Sequence, residues 1–321
     1  MNWITRWKKI GIKVKQIFKK QPAGQEESDW KNCPQCKKIT YKPDLFENSY
    51  ICECSYHFDL PPKLRLDHLF DSEYQFIDAP ENINPDPLNF EVKEKYKYIN
   101  KIKKYRSVTG QKTALLCASG RISSLKAVVV CFNPKFGAGR FGPAENEHFL
   151  KAANFAITEK VDIWIVIFQS SGIDVHTGVT GLAGMTKSII AMNELKKSKI
   201  PTFGIAARAV AGGTYASSFF QHDFIIIESK SVENLLFSGK RVTANILKGT
   251  DQMPEDFGTG PGVMRAGLAD ITLENRKELK ETVTKLANII LKKEEIIKEN
   301  ENVEEAHENQ KDFKKTASAT S

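Results

Sequence analysis

Apolar and polar positions follow two rhythms along this chain. From Val161 to Phe168 the run VDIWIVIF is almost unbroken apolar, rich in β-branched and aromatic residues. Such a run predicts a strand buried on both faces, as parallel strands in α/β proteins are. Ser170, Ser171 and Gly172 break it. Beyond them Leu182, Met185, Ile189 and Met192 recur in steps of three and four, one face of a helix. The stretch therefore predicts a strand, a small-residue turn and a helix. Backbone N–H groups at such a turn lack an intrahelical partner and can bind an oxyanion, although packing alone also shapes loops of this kind.

The same rhythms recur on both sides. Strands are predicted over 113–119, 125–132, 202–207 and 223–228, with a turn at Gly120, Arg121 and Ile122. Helices are predicted over 145–159, 214–221, 233–248 and 275–292, and a charged, solvated helix over 94–105. Strands alternating with helices imply parallel pairing and right-handed crossovers. A second small-residue turn, Ala211–Gly212–Gly213, follows the strand at 202–207. The glycine-rich loop FGAGRFG over 136–142 lacks the GxxxxGK[ST] pattern of a phosphate loop. Near the start, Trp3, Trp7, Ile10, Val14 and Ile17 have helical spacing among lysines. That is a basic amphipathic helix for docking on its own complex, an acidic partner or a membrane surface. Residues 293–321 are charged, poor in aromatics, and read as a disordered tail.

Composition narrows the class. The 321 residues can bury a full core, and 41% apolar with 27% charged residues fits a soluble globular protein. No apolar run approaches the ~20 residues of a membrane span. Lys8, Lys9, Lys13 and Lys15 interrupt any signal-peptide core, so the chain reads as intracellular. Most of the +8 net charge lies at the start, where Arg6, Lys8, Lys9, Lys13, Lys15, Lys19 and Lys20 meet no acidic residue. In a reducing compartment the cysteines point to a metal rather than to disulfides. Cys33 and Cys36 form a CxxC knuckle, and Cys52 and Cys54 a CxC. Thiolates so spaced can close a tetrahedral Zn2+ site that folds a segment too small for its own core. The CxC lacks the second intervening residue that wraps backbone N–H groups around sulfur. His57 is therefore an alternative ligand, and a ribbon that has lost its metal is the other reading.

In this order the features resemble the β subunit of the carboxyltransferase of acetyl-CoA carboxylase, over residues 28–292. The resemblance is carried by the WxxCPxC opening at Trp30, ENSYICECSYHF, LRLDHLFD, DPLNF, TGQKTALL and FGAGRFG. It continues through AGGTYASSF with Asp223 and Glu228, FSGKRV, and MPEDFGTG…GLADI. It implies an α/β, crotonase-like spiral of repeated ββα units preceded by a small zinc ribbon. The implied divisions are a basic segment and linker at 1–28, the ribbon at 29–60, the carboxyltransferase domain at 61–292 and the tail at 293–321.

The implied reaction moves carboxyl from carboxybiotin, supplied by a partner, to acetyl-CoA, giving malonyl-CoA for fatty acid synthesis. The hard step is the thioester enolate, where one preorganised N–H donor is worth about 3–4 kcal/mol. The family's first Gly-Gly pair falls on Ser171 and Gly172, expected with their neighbours to supply those donors. The second falls on Gly212 and Gly213, expected to order the helix that closes the site. The glycine loop falls on Gly137, Gly139 and Gly142, expected on the cofactor side. The zinc ligands fall on Cys33, Cys36, Cys52 and Cys54. Expected partners are a carboxyltransferase α subunit in a heterotetramer, the biotin carboxyl carrier protein and biotin carboxylase, with weak nucleic-acid attraction through the basic start. The expected location is the cytoplasm, or the plastid stroma.

The family's GGARMQEG is here SGIDVHTG over 171–178. An Arg becomes Asp174, while Arg208-Ala209 replaces an Asp-Pro, so Asp174 and Arg208 are expected to pair. His176 reads as a polar rim residue rather than a general base. Two other readings are a non-catalytic paralogue that keeps the fold and a nucleic-acid-binding zinc-ribbon protein.

Overall fold

The computed structural model describes residues 29–92, 96–247 and 252–292. The predicted basic helix, the linker after it and the predicted tail lie outside these residues. The chain divides into two compact units, one up to Tyr56 and one from His57 onward.

In the smaller unit, β1 (Trp30–Asn32) pairs antiparallel with β2 (Ile39–Tyr41), and α1 (Lys42–Glu47) follows. The side chains buried here are few: Cys33, Leu45, Ile51 and Cys52. So small a core cannot hold a fold unaided.

The larger unit opens with α2 (Pro62–Leu69), β3 (Gln75–Ile77), β4 (Glu91–Val92), β5 (Tyr96–Lys97) and α3 (Tyr98–Thr109). Then come β6 (Leu115–Ile122), β7 (Leu125–Phe132), β8 (Arg140–Phe141) and α4 (Pro143–Thr158). The next repeat is β9 (Ile163–Ser170), β10 (Gly172–Ile173), a 3-10 turn (Val175–Thr177) and α5 (Gly178–Lys197). Beyond it lie β11 (Thr202–Ala211), α6 (Gly212–Ala216), β12 (Phe224–Ile227), β13 (Leu235–Leu236), α7 (Lys240–Ile246), α8 (Gly260–Arg265) and β14 (Ile271–Thr272). A last helix, α9, covers 279–292. The main sheet runs β14-β12-β11-β9-β7-β6-β3, with β13 beside β11. From β7 to β14 the pairings are parallel, and at β3, β6 and β7 they are antiparallel. β8 and β10 form a separate parallel pair.

Alternation along the strands builds two cores. Val128, Val130, Phe132, Trp164, Val166 and Phe168 face α4 and α5. Val129, Cys131, Ile163, Ile165 and Ile167 face α2 and α9. With helices on both faces, all eight residues of β9 are buried, which is why its sequence shows no alternation. No helix among the described residues is long and apolar enough to cross a membrane.

Several boundaries differ from the sequence expectation. The turn between β6 and β7 is at Ser123 and Ser124, both with positive φ, rather than at 120–122. Gly120 sits inside β6, where a Cβ would come within 2.8 Å of the Phe70 ring, so its smallness serves packing. Ser170 ends β9 instead of breaking it. The charged helix starts at Tyr98 and stops at Gly110, whose φ of 68° gives the left-handed cap that favours glycine. The stretch 233–248 holds a short strand before its helix, and 214–221 is α6 followed by a 3-10 turn.

Candidate functional site

The four knuckle cysteines come together in the smaller unit. Their Sγ atoms all lie within 4.8 Å of one another, with Cys33 and Cys54 at 3.6 Å and Cys36 and Cys52 at 3.7 Å. Four sulfurs at 2.3 Å around one tetrahedral zinc lie about 3.8 Å apart, so the cluster has the size and donor chemistry of a structural zinc site. The CxC closes because Ser55 takes a positive φ and its N–H donates to the Cys52 carbonyl. The knuckles differ electrostatically. Burial raises the Cys33 thiol, but the N–H groups of Cys36 and Gln35 outweigh it and lower the thiol to about 7. At Cys54 burial wins over the N–H of Tyr56 and pushes the thiol up to about 12. His57 is not needed as a ligand and lies outside the cluster.

In the larger unit three loops meet at the end of β9. The Ser170 hydroxyl joins them: it donates to the Gly139 carbonyl (2.7 Å), accepts from the Gly172 N–H (3.1 Å) and faces the Thr214 hydroxyl (3.1 Å). Gly172 has φ 107°, and a Cβ on it would lie 2.7 Å from the Ala211 carbonyl oxygen, so the two predicted turns touch backbone to backbone. Gly213 meets Ile173 in the same way, its absent Cβ leaving room for that side chain at 2.3 Å. The glycine loop supports this arrangement from beneath. A Cβ on Gly139 would lie 1.8 Å from the Gln169 carbonyl oxygen, and one on Gly142 would lie 2.0 Å from the Arg140 guanidinium.

The backbone donors are divided unevenly. Ser171 N–H is committed to the Ala138 carbonyl at 2.9 Å, and Gly172 N–H to Ser170 Oγ. In the glycine loop, Gly139 N–H donates to Phe136 and Gly142 N–H to Glu145. Gly212 and Gly213 open α6, where the first N–H groups have no acceptor within their own helix; the parallel register of β11 with β13, Ala211 opposite Leu236, turns the Gly212 N–H to the Leu236 carbonyl. The sequence expectation that Ser171 supplies a free donor is thus corrected: that amide holds the glycine loop in place.

A buried charge cluster lies beside the first turn. Asp174 is 6% exposed, so its carboxylate needs partners. Oδ2 accepts from Tyr98 Oη (2.6 Å) and lies 2.9 Å from Arg140 Nη2, and Oδ1 takes the His176 N–H (3.1 Å) and faces His176 Nδ1 (2.9 Å). Arg140 also lies 3.3 Å from Glu145. Burial lowers the Arg140 pKa, but Glu145 and then Asp174 outweigh it, so the guanidinium stays charged. Burial and the Asp174 bond together raise Tyr98 against the pull of Arg140, which keeps it a phenol donor. Arg208 does not pair with Asp174; its partner is Asp59. The expected exchange of charges is corrected accordingly: the cation that answers Asp174 comes from the glycine loop. His176 is more than a rim residue. Its ring stacks on Tyr98, with centroids 4.0 Å apart and planes 5° from parallel, and meets Phe90 edge-on.

Sequence reading missed Ser170, Thr214, Arg140 and Tyr98. For Arg140 a signal existed, since an arginine inside a tight glycine loop must find a counter-charge. Nothing local pointed to Tyr98, 76 residues from Asp174.

Comparison with known proteins agrees along the whole chain. The carboxyl transferase domain family matches residues 93–319. The chain is 31% identical, over 99% of its length and 100% of the relative's, to the acetyl-coenzyme A carboxylase carboxyl transferase subunit beta of Pelagibacter ubique. The proteins of the same description from Rhizobium etli and Liberibacter asiaticus are 30% and 29% identical, each over 91% of this chain and over 94% and 99% of their own lengths. Among solved structures, transcarboxylase 12S with methylmalonyl-coenzyme A bound superposes with a TM-score of 0.56 at 18% identity, over 71% of this chain and 41% of that one. A Pseudomonas malonate decarboxylase hetero-tetramer in complex with malonate gives 0.54 at 15% identity, over 73% and 82%. These two likenesses establish the fold.

Proposed function

This chain belongs to the family of acetyl-coenzyme A carboxylase carboxyl transferase β subunits, and from that premise we propose how its own residues take part in the reaction. It transfers carboxyl from carboxybiotin to acetyl-CoA, giving malonyl-CoA. Carboxybiotin arrives on a biotin carboxyl carrier protein loaded by biotin carboxylase. A carboxyltransferase α subunit completes the active site in a heterotetramer, in the cytoplasm. One observation supports the reading most: two strand-to-helix turns in backbone contact beside a hydroxyl that ties both to the glycine loop.

The thioester oxygen gains negative charge as the enolate forms. The Gly213 amide at the start of α6 is the donor we assign to it, with Gly172 as the second. The Ser170 hydroxyl that now accepts the Gly172 N–H can rotate and release it. Preorganised donors of this kind are worth about 3–4 kcal/mol each. Gly139 and Gly142 fix the loop below, and Gly137, with φ 58°, takes the left-handed backbone its turn needs. Arg140, shared between Asp174 and Glu145, offsets part of the reversed charge at position 174. Zn2+ held by Cys33, Cys36, Cys52 and Cys54 supplies folding energy to the ribbon.

Malonyl-CoA formation by the chain co-purified with its α subunit tests the reading. Turnover is expected in the assembled complex and not in either chain alone. An assembled, zinc-replete complex that makes no malonyl-CoA counts against it.

A further inference from the structure

One side chain stands between the two turns. Ile173 follows Gly172 directly and pairs with Phe141 as the second residue of β10. Two helices each give up a Cβ to make room for it. A Cβ on Gly213, at the start of α6, would lie 2.3 Å from Ile173 Cγ1 and 3.3 Å from its Cδ1. A Cβ on Gly181, near the start of α5, would lie 3.1 Å from its Cγ2. Both branches of the side chain are therefore held, and a β-branched residue so gripped keeps one rotamer. Met185, one turn further along α5, closes on the same point of Gly213, with its sulfur 3.0 Å away. Ile173 is half-buried, so it stands at the rim of the core and keeps a face outside it.

What stands beside Gly213 bears on the substrate. An oxyanion donor sits about 2.7–3.1 Å from the oxygen it serves. The Gly213 amide is the donor assigned above to the thioester oxygen, and the acyl carbons begin one bond from that oxygen. A thioester enolate is planar, so a substituent on its α carbon lies in the plane of the oxygen. The methyl group that distinguishes a propionyl from an acetyl thioester is thus carried along the walls of the donor site. The side chains against Gly213 are Ile173 and Met185. Methionine is flexible and yields to a ligand, whereas the held isoleucine does not.

We propose that Ile173 limits the acyl group this site accepts, leaving room for acetyl and opposing a thioester with a substituted α carbon; the proposal rests on the carboxyltransferase reading above. The family motif GGARMQEG has alanine at this place, so Ile173 thickens the wall by three carbons and makes this chain the stricter for acetyl-CoA. A rigid apolar wall discriminates one methylene by about 10–200-fold, which is the size of step that separates the two thioesters.

The test compares two substrates on one complex. The chain assembled with its α subunit is given carboxybiotin with acetyl-CoA or with propionyl-CoA, and kcat/KM is measured for each. The ratio of the propionyl to the acetyl value reads the wall, because a purely structural loss lowers both values together. The wild-type complex should favour acetyl-CoA. Ile173→Ala should raise the ratio about tenfold or more. Ile173→Val removes one carbon and keeps the branch, so it assembles where Ala does not, and it should raise the ratio by less. Variant ratios within about twofold of wild type overturn the proposal, as does a wild-type complex that uses the two thioesters equally. A wild-type complex that carboxylates neither thioester takes down the carboxyltransferase reading, and the proposal with it.

Discussion

The two small-residue turns look alike in sequence, each following a buried strand and preceding a helix, yet they use their backbones in opposite ways. At Ser171–Gly172 both N–H groups are committed, to Ala138 and to Ser170, and Gly172 lies against the Ala211 carbonyl. At Gly212–Gly213 the first N–H turns to Leu236, the second opens a short helix, and a Cβ on Gly212 would meet nothing closer than 3.7 Å. One turn is a joint and the other a face. A glycine pattern shows that a turn needs freedom of φ or closeness, but not which of the two it needs.

Gly172→Ala strikes the joint and should have the largest effect. It strains a φ of 107° and drives a Cβ into the Ala211 carbonyl, so both turns shift. A displacement near 1 Å at a catalytic centre costs about a hundredfold, and malonyl-CoA formation should fall at least that far. Arg140→Met should come next. It leaves Asp174 and Glu145 buried without their shared cation, a loss of about 3–5 kcal/mol read by denaturant unfolding. Ser170→Ala removes the hydroxyl common to the three loops and should cost about 1–3 kcal/mol, with turnover reduced in step. Gly212→Ala should do least. Its only penalty is left-handed backbone, about 1–2 kcal/mol, and because the amide remains, turnover should stay within about tenfold. If Gly212→Ala proves more damaging than Gly172→Ala, the division into joint and face is reversed.

A second contrast runs through the ribbon, where the CxxC knuckle supplies two N–H groups to Cys33 and the CxC leaves Cys54 to burial. The short knuckle nevertheless brings its sulfurs to metal spacing, because a positive φ at Ser55 substitutes for the missing residue. The spacing in sequence named the four ligands. It did not foresee how a serine turn completes the ring.

The alternation of strands and helices and the two-sided burial of β9 were legible because they follow from hydrophobic period, which each segment carries in its own residues. Four of the strands were likewise located to within a few residues, and Leu125–Phe132 to the residue. What could not be read was pairing at a distance. Asp174 seemed to invite Arg208, the nearest obvious charge exchange, but the glycine loop delivers Arg140 instead, and Arg208 meets Asp59. Tyr98 and His176 join the same cluster from elements 78 residues apart in sequence, the difference of their numbers.

By itself, then, the sequence determined the family, the layered α/β plan, the four metal-binding thiols and the position of both turns, because period, spacing and glycine act locally. Only the tertiary structure decided which carbonyl takes the Ser171 amide and which cation answers Asp174. Those depend on groups far apart in the chain arriving within 3 Å, and no local pattern encodes that distance.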